Sequence, residues 1–199
     1  MDVLGGPTRG STEASPLRDT FQRIVGLTVL VLMLLVCLDG QLRAQTANEY
    51  EVKAAFLYKF ASFVEWPPES VNVPLCIAVV GQDPFGAALD DVVKGKSING
   101  RGFLIKRFKS GQDASGCHIV FISASEKSRV RSVLDQLRGS SILTVSDIPG
   151  FCQGGGMIDF ELLEQKVRFE INPEAAERAR LKVSSKLLSV AKIVREGRP

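Results

Sequence analysis

Apolar and polar positions follow two distinct periods along residues 48–194. From Asn48 to Glu65, Val52, Phe56, Phe60 and Phe63 recur three to four residues apart, and Ala55, Leu57 and Val64 widen that face. This spacing predicts an amphipathic helix. Asn48 suits its N-cap, Glu49 and Glu51 suit its first turn, and Trp66-Pro67-Pro68 stops it. Leu75–Val80 is a short apolar run with a glycine exit at Gly81, the pattern of a buried strand. Gly86–Val93 reads as helix, and Gly95, Asn99, Gly100 and Gly102 mark turns. Phe103–Phe108 reads as a strand, and His118–Ser123 is the clearest central strand. Ser125–Leu137 places Val130, Val133, Leu134 and Leu137 on one helical face, and Ser141–Val145 is a further β-branched run. Gly154-Gly155-Gly156 leads into Met157–Leu162, and Val167–Ile171 follows after four residues, a hairpin spacing. A last helix is expected from Pro173 to Val194, with Asn172 as cap and Pro173 in the first turn.

Alternating helix and strand in the first part favours a partly parallel sheet. The late hairpin adds an antiparallel edge. The expected fold is α/β: one domain with a mixed β-sheet flanked by helices on both faces. With 199 residues, 45% hydrophobic and 24% charged, composition is that of an ordinary globular chain. The roughly 155 residues after the N-terminal segment can bury about 70% of their unfolded surface, so folding needs no metal. The net charge of +3 is spread along the chain, and no Lys/Arg-rich stretch of the nucleic-acid-binding type occurs.

The N-terminal segment has a different character. Ile24–Leu38 is an unbroken uncharged run, preceded by Arg9, Arg18 and Arg23 and followed by Asp39, Gly40, Gln41 and Arg43. A positive flank, a short apolar core and a polar exit form the pattern of an export signal, and the run is short for a full membrane span of about 20 residues. Residues 1–44 are therefore expected to be a signal peptide with an N-terminal extension, cleaved after Ala44, and residues 45–199 the mature domain in the periplasm. An uncleaved inner-membrane anchor is the alternative. Cys37 after Leu34-Leu35-Val36 fits a lipidation site poorly because Val36 is bulky, and residues 1–20 are long for a leader.

Cys76, Cys117 and Cys152 remain after leader removal. Disulfides form in an oxidising compartment. If the strands that begin near Cys76 and Cys117 are neighbours, both thiols lie at one sheet edge. A bridge there would close a loop of about 40 residues, which the chain-entropy treatment credits with about 4 kcal/mol. Cys152 is then odd, which leaves a buried inert thiol or an intermolecular partner. His118 is the only histidine. Adjacent to Cys117 on a strand, it points to the opposite face and cannot activate that thiol. One histidine without a Cys-x-x-Cys pair supplies no zinc site. Gly95-Lys96-Ser97 lacks the glycine and the strand–helix setting of a phosphate loop, since Asp90 stands where that glycine should be. The triple glycine 154–156 reads as a bulge or flexible strand start, or as backbone that approaches a ligand. Asp90-Asp91 reads as solvated, and Ser184 and Ser185 as ordinary helix residues. No catalytic residue, metal ligand or cofactor site is expected, and the chain reads as a binding protein, not an enzyme.

These motifs, taken in order, resemble the YfiR family, also called DUF4154. Glu49-Tyr50-Glu51-Val52-Lys53-Ala54-Ala55-Phe56-Leu57-Tyr58-Lys59-Phe60, closed by Val64-Glu65-Trp66-Pro67, is similar to its opening helix. The segment Gly81 to Gly86 with Asp83-Pro84-Phe85 resembles its first strand–helix turn. Cys117-His118-Ile119-Val120-Phe121-Ile122-Ser123 resembles its central strand. Ile142-Leu143-Thr144-Val145-Ser146-Asp147, Gly155-Gly156-Met157-Ile158, Arg168-Phe169-Glu170-Ile171-Asn172 and Ser184-Ser185-Lys186-Leu187-Leu188 resemble its second half. The resemblance spans residues 48–194. It implies a periplasmic protein that binds the periplasmic part of an inner-membrane diguanylate cyclase and represses it, so controlling cyclic-di-GMP signalling and biofilm formation. It also implies an outer-membrane lipoprotein that sequesters the repressor, and a Cys76–Cys117 disulfide. Members of the family carry a second cysteine near the position of Cys152, and this chain has none, which removes the partner for a second bridge.

Partners are then the cyclase, the lipoprotein and a second copy of the chain, with no nucleic acid. Trp66 and Phe151 stand at proline-marked element ends and are expected to be partly exposed anchors for a partner, against the alternative that they plug core edges. The competing function is a periplasmic small-molecule sensor, whose pocket belongs at the strand C-terminal edge near Gly81–Gly86.

Overall fold

The computed structural model describes residues 33, 45–67, 73–110, 112–195 and 197. The chain divides into two units, residues 1–45 and 46–199, and every element named below belongs to the second. The expected export signal, its cleavage point and the Cys37 reading lie outside the described residues.

Within this unit helix α1 covers residues 46–63 and passes directly into a two-residue strand β1, Val64–Glu65. Strands β2 (Leu75–Val80), β3 (Ser97–Ile98), β4 (Arg101–Phe108), β5 (Ile119–Ile122) and β6 (Leu143–Ser146) alternate with helices α2 (Ala88–Val93) and α3 (Val130–Leu137). Then follow the hairpin β7 (Ile158–Leu163) and β8 (Lys166–Ile171), helix α4 (Pro173–Arg178), β9 (Lys182–Val183), α5 (Ser185–Leu188) and β10 (Lys192–Ile193). The main sheet has the order β10-β8-β7-β6-β5-β2-β4-β3. Pairs β2–β4, β2–β5, β5–β6, β6–β7 and β8–β10 are parallel, while β7–β8 and β3–β4 are antiparallel. A separate antiparallel pair, β1–β9, ties the exit of α1 to the segment after α4.

This is the mixed α/β sheet that the periodicities predict. Every residue of β2, β5 and β6 is buried, as unbroken apolar runs require when helices cover both faces of a parallel sheet. On one face α1, α2, α4 and α5 bury Leu57, Phe60, Leu89, Ala176 and Leu187 against Ile77, Phe121 and Ile158. On the other, α3 and the loop between β6 and β7 cover Val80, Val120 and Ile122 with Val133, Leu137, Ile148 and Phe151.

Several boundaries differ from expectation. Asn48 lies within α1 instead of capping it, and Val52 stays 39% exposed at the rim. Residues Ala124–Arg129 form a 3-10 segment ahead of α3, capped by Ser123. The single C-terminal helix expected from Pro173 to Val194 is broken into α4, β9, α5 and β10. Arg180 takes a left-handed backbone, φ 61°, which ends helical propagation, and the Ser184 side chain restarts it by accepting from the Leu187 amide. Asn172 does cap α4 through the Ala175 amide at 3.1 Å. The β7–β8 hairpin is not the outermost part of the sheet, because β10 pairs outside it.

Candidate functional site

Cys76 is the second residue of β2 and Cys117 precedes β5, and because those strands are parallel neighbours the two cysteines meet in a disulfide. His118 beside it is buried. Its Nδ1 accepts from the Cys76 amide at 3.1 Å, so the ring is held by the backbone it helps to align. The Trp66 indole N–H donates to the His118 carbonyl at 3.2 Å, and the two rings meet edge to face. Trp66 is half-buried. A cleft of about 490 Å³ opens here, with Pro67, Gly116, Cys117, His118 and Arg180 on its walls.

The opposite edge, where the strands end, is closed. The chain leaves β2 toward β4 on one side and returns to β5 on the other, so a crevice between the two loops is the ordinary place for a ligand. Here Ser125 and Glu126 fill it: the Gln82 amide donates to Ser125 Oγ at 2.9 Å, and a Cβ on Gly81 would lie 2.4 Å from that oxygen. Phe85 packs on Phe121 with ring centroids 4.7 Å apart. Arg107 bonds Asp83, Asp90 and the Gly86 carbonyl, and these two carboxylates hold the guanidinium charged. Asp90 is therefore an ion-pair partner, not merely a solvated residue, and its own carboxyl sits below the usual range because Arg107 donates to it. The pocket expected near Gly81–Gly86 is thus occupied by the protein itself.

At the same edge α1 is clamped to the end of β6. Lys53 Nζ lies 2.8 Å from Asp147 Oδ2 and 2.5 Å from Glu49 Oε1, and Tyr50 Oη donates to Asp147 Oδ2 at 2.7 Å. Burial first, and then this bond to Asp147, push the Tyr50 phenol above its ordinary range. Asp147 Oδ1 is buried and has no partner.

A polar row crosses the second face. In register, Lys192 lies beside Glu170, Glu170 beside Asp159, and Asp159 beside Ser146. Residues 148–156 fold over this row. Phe151 N–H donates to Asp159 Oδ2 at 3.1 Å, Gln153 Nε2 donates to Glu170 at 3.0 Å, and Lys192 reaches the other Glu170 oxygen. Cys152 is fully buried beneath the loop, and burial pushes its thiol well above the ordinary range. Phe151 is 3% exposed, which corrects the expectation of a partly exposed anchor. Its ring lies where a Gly156 Cβ would stand, 2.2 Å away, so the glycine beneath it lets the ring lie down into the core.

Asp159 is 1% exposed, and its Oδ1 is buried without a partner. Burial, reinforced by the nearby Glu170 and Glu161 charges, raises its carboxyl to about 7 against the opposing Phe151 hydrogen bond. An acid raised in the folded state holds a proton that the unfolded chain releases. Its contribution to stability is therefore complete below about pH 4 and is lost as pH rises through about 7. Asp159→Asn keeps an acceptor for Phe151 and carries no charge. The variant should match the parent near pH 4.5 and exceed it by about 2 kcal/mol at pH 8 in denaturant melts. Equal stabilities at pH 8 would show that Asp159 is already hydrated in the folded state.

Among the described residues no group of three or more His, Cys, Asp or Glu side chains could hold a metal ion, and no helix is long and apolar enough to cross a membrane. Of the residues singled out from sequence, the structure joins Cys76 and Cys117, sets Trp66 beside them, and places Phe151 in the core across the sheet. Sequence reasoning did not single out Lys53, Asp147 and Asp159 individually. The one signal for Asp159 was a carboxylate between two apolar residues of a strand, which reads equally as a solvent-facing position.

The described residues thus form a disulfide-linked α/β domain with an ion-paired clamp at Asp147 and a buried polar row at Asp159 and Glu170. Its sequence matches the family model described as DUF4154, YfiR/HmsC-like, over residues 50–192. The chain belongs to that family, whose members are periplasmic regulators of cyclic-di-GMP signalling and not a known class of enzyme.

Proposed function

We propose that this protein represses an inner-membrane diguanylate cyclase by binding the cyclase's periplasmic part and holding it inactive. Family membership over residues 50–192 is the observation that supports this reading. The Cys76–Cys117 disulfide agrees with an exported protein, since such bonds persist in oxidising compartments. Release of the cyclase then requires a competitor for the repressor, and an outer-membrane lipoprotein fills that role. Export by a cleaved signal peptide belongs to the same proposal, as does association with a second copy.

Trp66 is the anchor this reading favours, because it is half-buried at the end of the α1–β1 segment and large aromatic side chains dominate interface energetics. Phe151, being buried, is a fold-stability position. Deletion of the gene should raise cyclic-di-GMP and surface attachment, and the rise should vanish when the cyclase gene is deleted as well. Trp66→Ala, checked by circular dichroism for an intact fold, should weaken binding to the purified periplasmic part of the cyclase by about tenfold or more. A deletion that leaves cyclic-di-GMP unchanged, with no binding of the purified protein to the cyclase segment, would leave family and fold standing and remove the repressor assignment.

A further inference from the structure

Strand β4 lies at the flank of the main sheet far from β10, and most of its outer side has no neighbour. Ser97 and Ile98 of β3 pair with Gly102 and Arg101 across the Asn99-Gly100 turn. The chain before β3 turns toward α1, where Lys96 Nζ stands 4.6 Å from the centre of the Tyr58 ring. Phe103–Phe108 pair with Leu75–Val80 of β2 on the inner side, and no strand of the sheet pairs with them on the outer side.

One hydrogen bond sets the phase of this edge. Gly81 N–H donates to the Phe108 carbonyl at 2.9 Å, so the even-numbered residues of β4 turn their backbone groups toward β2. The N–H and C=O of one residue point to the same side, and the side alternates along a strand. Phe103, Ile105 and Arg107 therefore present theirs outward, in step with Arg101, which meets Ile98 of β3. Among the described residues no hydrogen bond reaches these backbone groups. Past them the edge is closed, because Lys109 N–H donates to Gln112 Oε1 at 2.6 Å. An unpaired row of this kind is a template for one more strand.

The side chains set what that strand must carry. On the α1 face Phe103 and Ile105 are half-buried, and Arg107 is engaged by Asp83 and Asp90. On the opposite face Leu104 is 45% exposed, and Lys106 is exposed with no ion pair among the described residues. Two copies of the edge, paired antiparallel with their outward amides matched, would set Lys106 opposite itself or opposite Gly102, Leu104 or Phe108. None of these gives the ammonium a partner. A carboxylate beside Lys106 does, and opposite charges stabilise a strand pair where like charges destabilise it.

We propose that the outer edge of β4 binds an extended, acidic segment of a partner protein as an added strand, with apolar side chains over Phe103 and Ile105 and a carboxylate beside Lys106. Backbone bonds then supply affinity, and the alternating side chains supply selectivity. This surface stands independently of the repressor assignment, since it rests on the strand edge alone.

The test uses the uniformly nitrogen-15-labelled protein, with the capped peptide Val-Glu-Val-Glu-Val-Glu as the probe. The controls are the same peptide with lysine for every glutamate, and a copy with every peptide nitrogen methylated. The glutamate peptide should give saturable shifts centred on the amides of Phe103, Ile105 and Arg107 and should slow their hydrogen exchange. The lysine peptide should bind at least about fivefold more weakly, and the methylated copy should not saturate. Lys106→Glu, at an exposed position, should weaken the glutamate peptide about fivefold and strengthen the lysine peptide. Absence of saturable shifts at the three amides, equal binding of the methylated copy, or an unchanged preference in Lys106→Glu would each overturn the proposal. Concentration-dependent shifts at these amides without peptide would assign the edge to a second copy of the chain and overturn it as well.

Discussion

Replacing Lys53 by methionine should reduce the unfolding free energy by about 3–5 kcal/mol, the range for removing one member of a buried ion pair. Lys53 is 3% exposed, and its ammonium is the cationic partner of Asp147 in the clamp between α1 and β6. Asp147 already leaves Oδ1 without a partner. With the cation gone, the Tyr50 hydroxyl would remain as the Asp147 hydrogen-bond donor among the described contacts of this buried carboxylate. The cost comes from the charge left behind and not from lost attraction, so it should largely disappear in the double variant Lys53→Met/Asp147→Leu. Guanidinium melts of the parent, both single variants and the double variant complete the cycle. A single-variant loss below about 1 kcal/mol would show that water reaches Asp147 and that the clamp is effectively a surface pair. Because α1 packs Leu57, Phe60 and Ala61 into the core on one sheet face, loosening this clamp should also raise hydrogen exchange along the helix before the sheet opens.

The second large effect concerns the Cys76–Cys117 bond. Its cysteines are 41 residues apart in sequence, and a cross-link of that span removes about 4 kcal/mol of chain entropy from the unfolded ensemble. Cys76→Ala/Cys117→Ala, or reduction of the native protein, should therefore lower stability by that order. The native arrangement around the bond has its own support. The His118 amide donates to the Cys76 carbonyl at 2.9 Å, and the Cys76 amide returns to His118 Nδ1. Loss of the bond should accordingly change stability without changing the fold, visible as a lower denaturant midpoint with an unchanged far-ultraviolet spectrum. A difference under about 1 kcal/mol between oxidised and reduced protein would mean that the reduced unfolded state stays compact around these strands. Cys152, fully buried, should resist alkylation in both forms until the molecule unfolds.

The elements that were legible in the sequence are those whose burial is set by their own period. The run 75–80 reads as a buried strand and 118–123 as the clearest central strand, and the two are parallel neighbours, so Cys76 at the start of one and Cys117 just before the other meet at one sheet edge. The family's motifs pointed the same way. Less legible was the chain after Pro173. Residues 173–194 have helical composition, but a left-handed turn at Arg180 and the short pairings of Val183 with Val64 and Ile193 with Ile171 divide them. Those pairings are long-range contacts, and two-residue strands carry too little pattern of their own to announce them.

Exposure was the hardest property to read. Phe151 and Trp66 look alike in sequence, each an aromatic ring beside proline or glycine, yet one is buried and the other half-open. The difference lies in Gly156, whose missing side chain admits the Phe151 ring five residues earlier. The crevice at Gly81 failed as a pocket for a similar reason, because Ser125 and Glu126, more than forty residues away along the chain, happen to return into it. The sequence by itself thus determined the alternation of strands and helices, the two-sided burial of the sheet and the cysteines that meet at its edge, since period and composition act locally. Only the tertiary structure decided that Asp159 and Asp147 lose their water, that Lys53 becomes an internal cation and that an open cleft stands at the sheet's N-terminal edge. Solvation of a polar side chain depends on which distant segment covers it, and no local pattern carries that information.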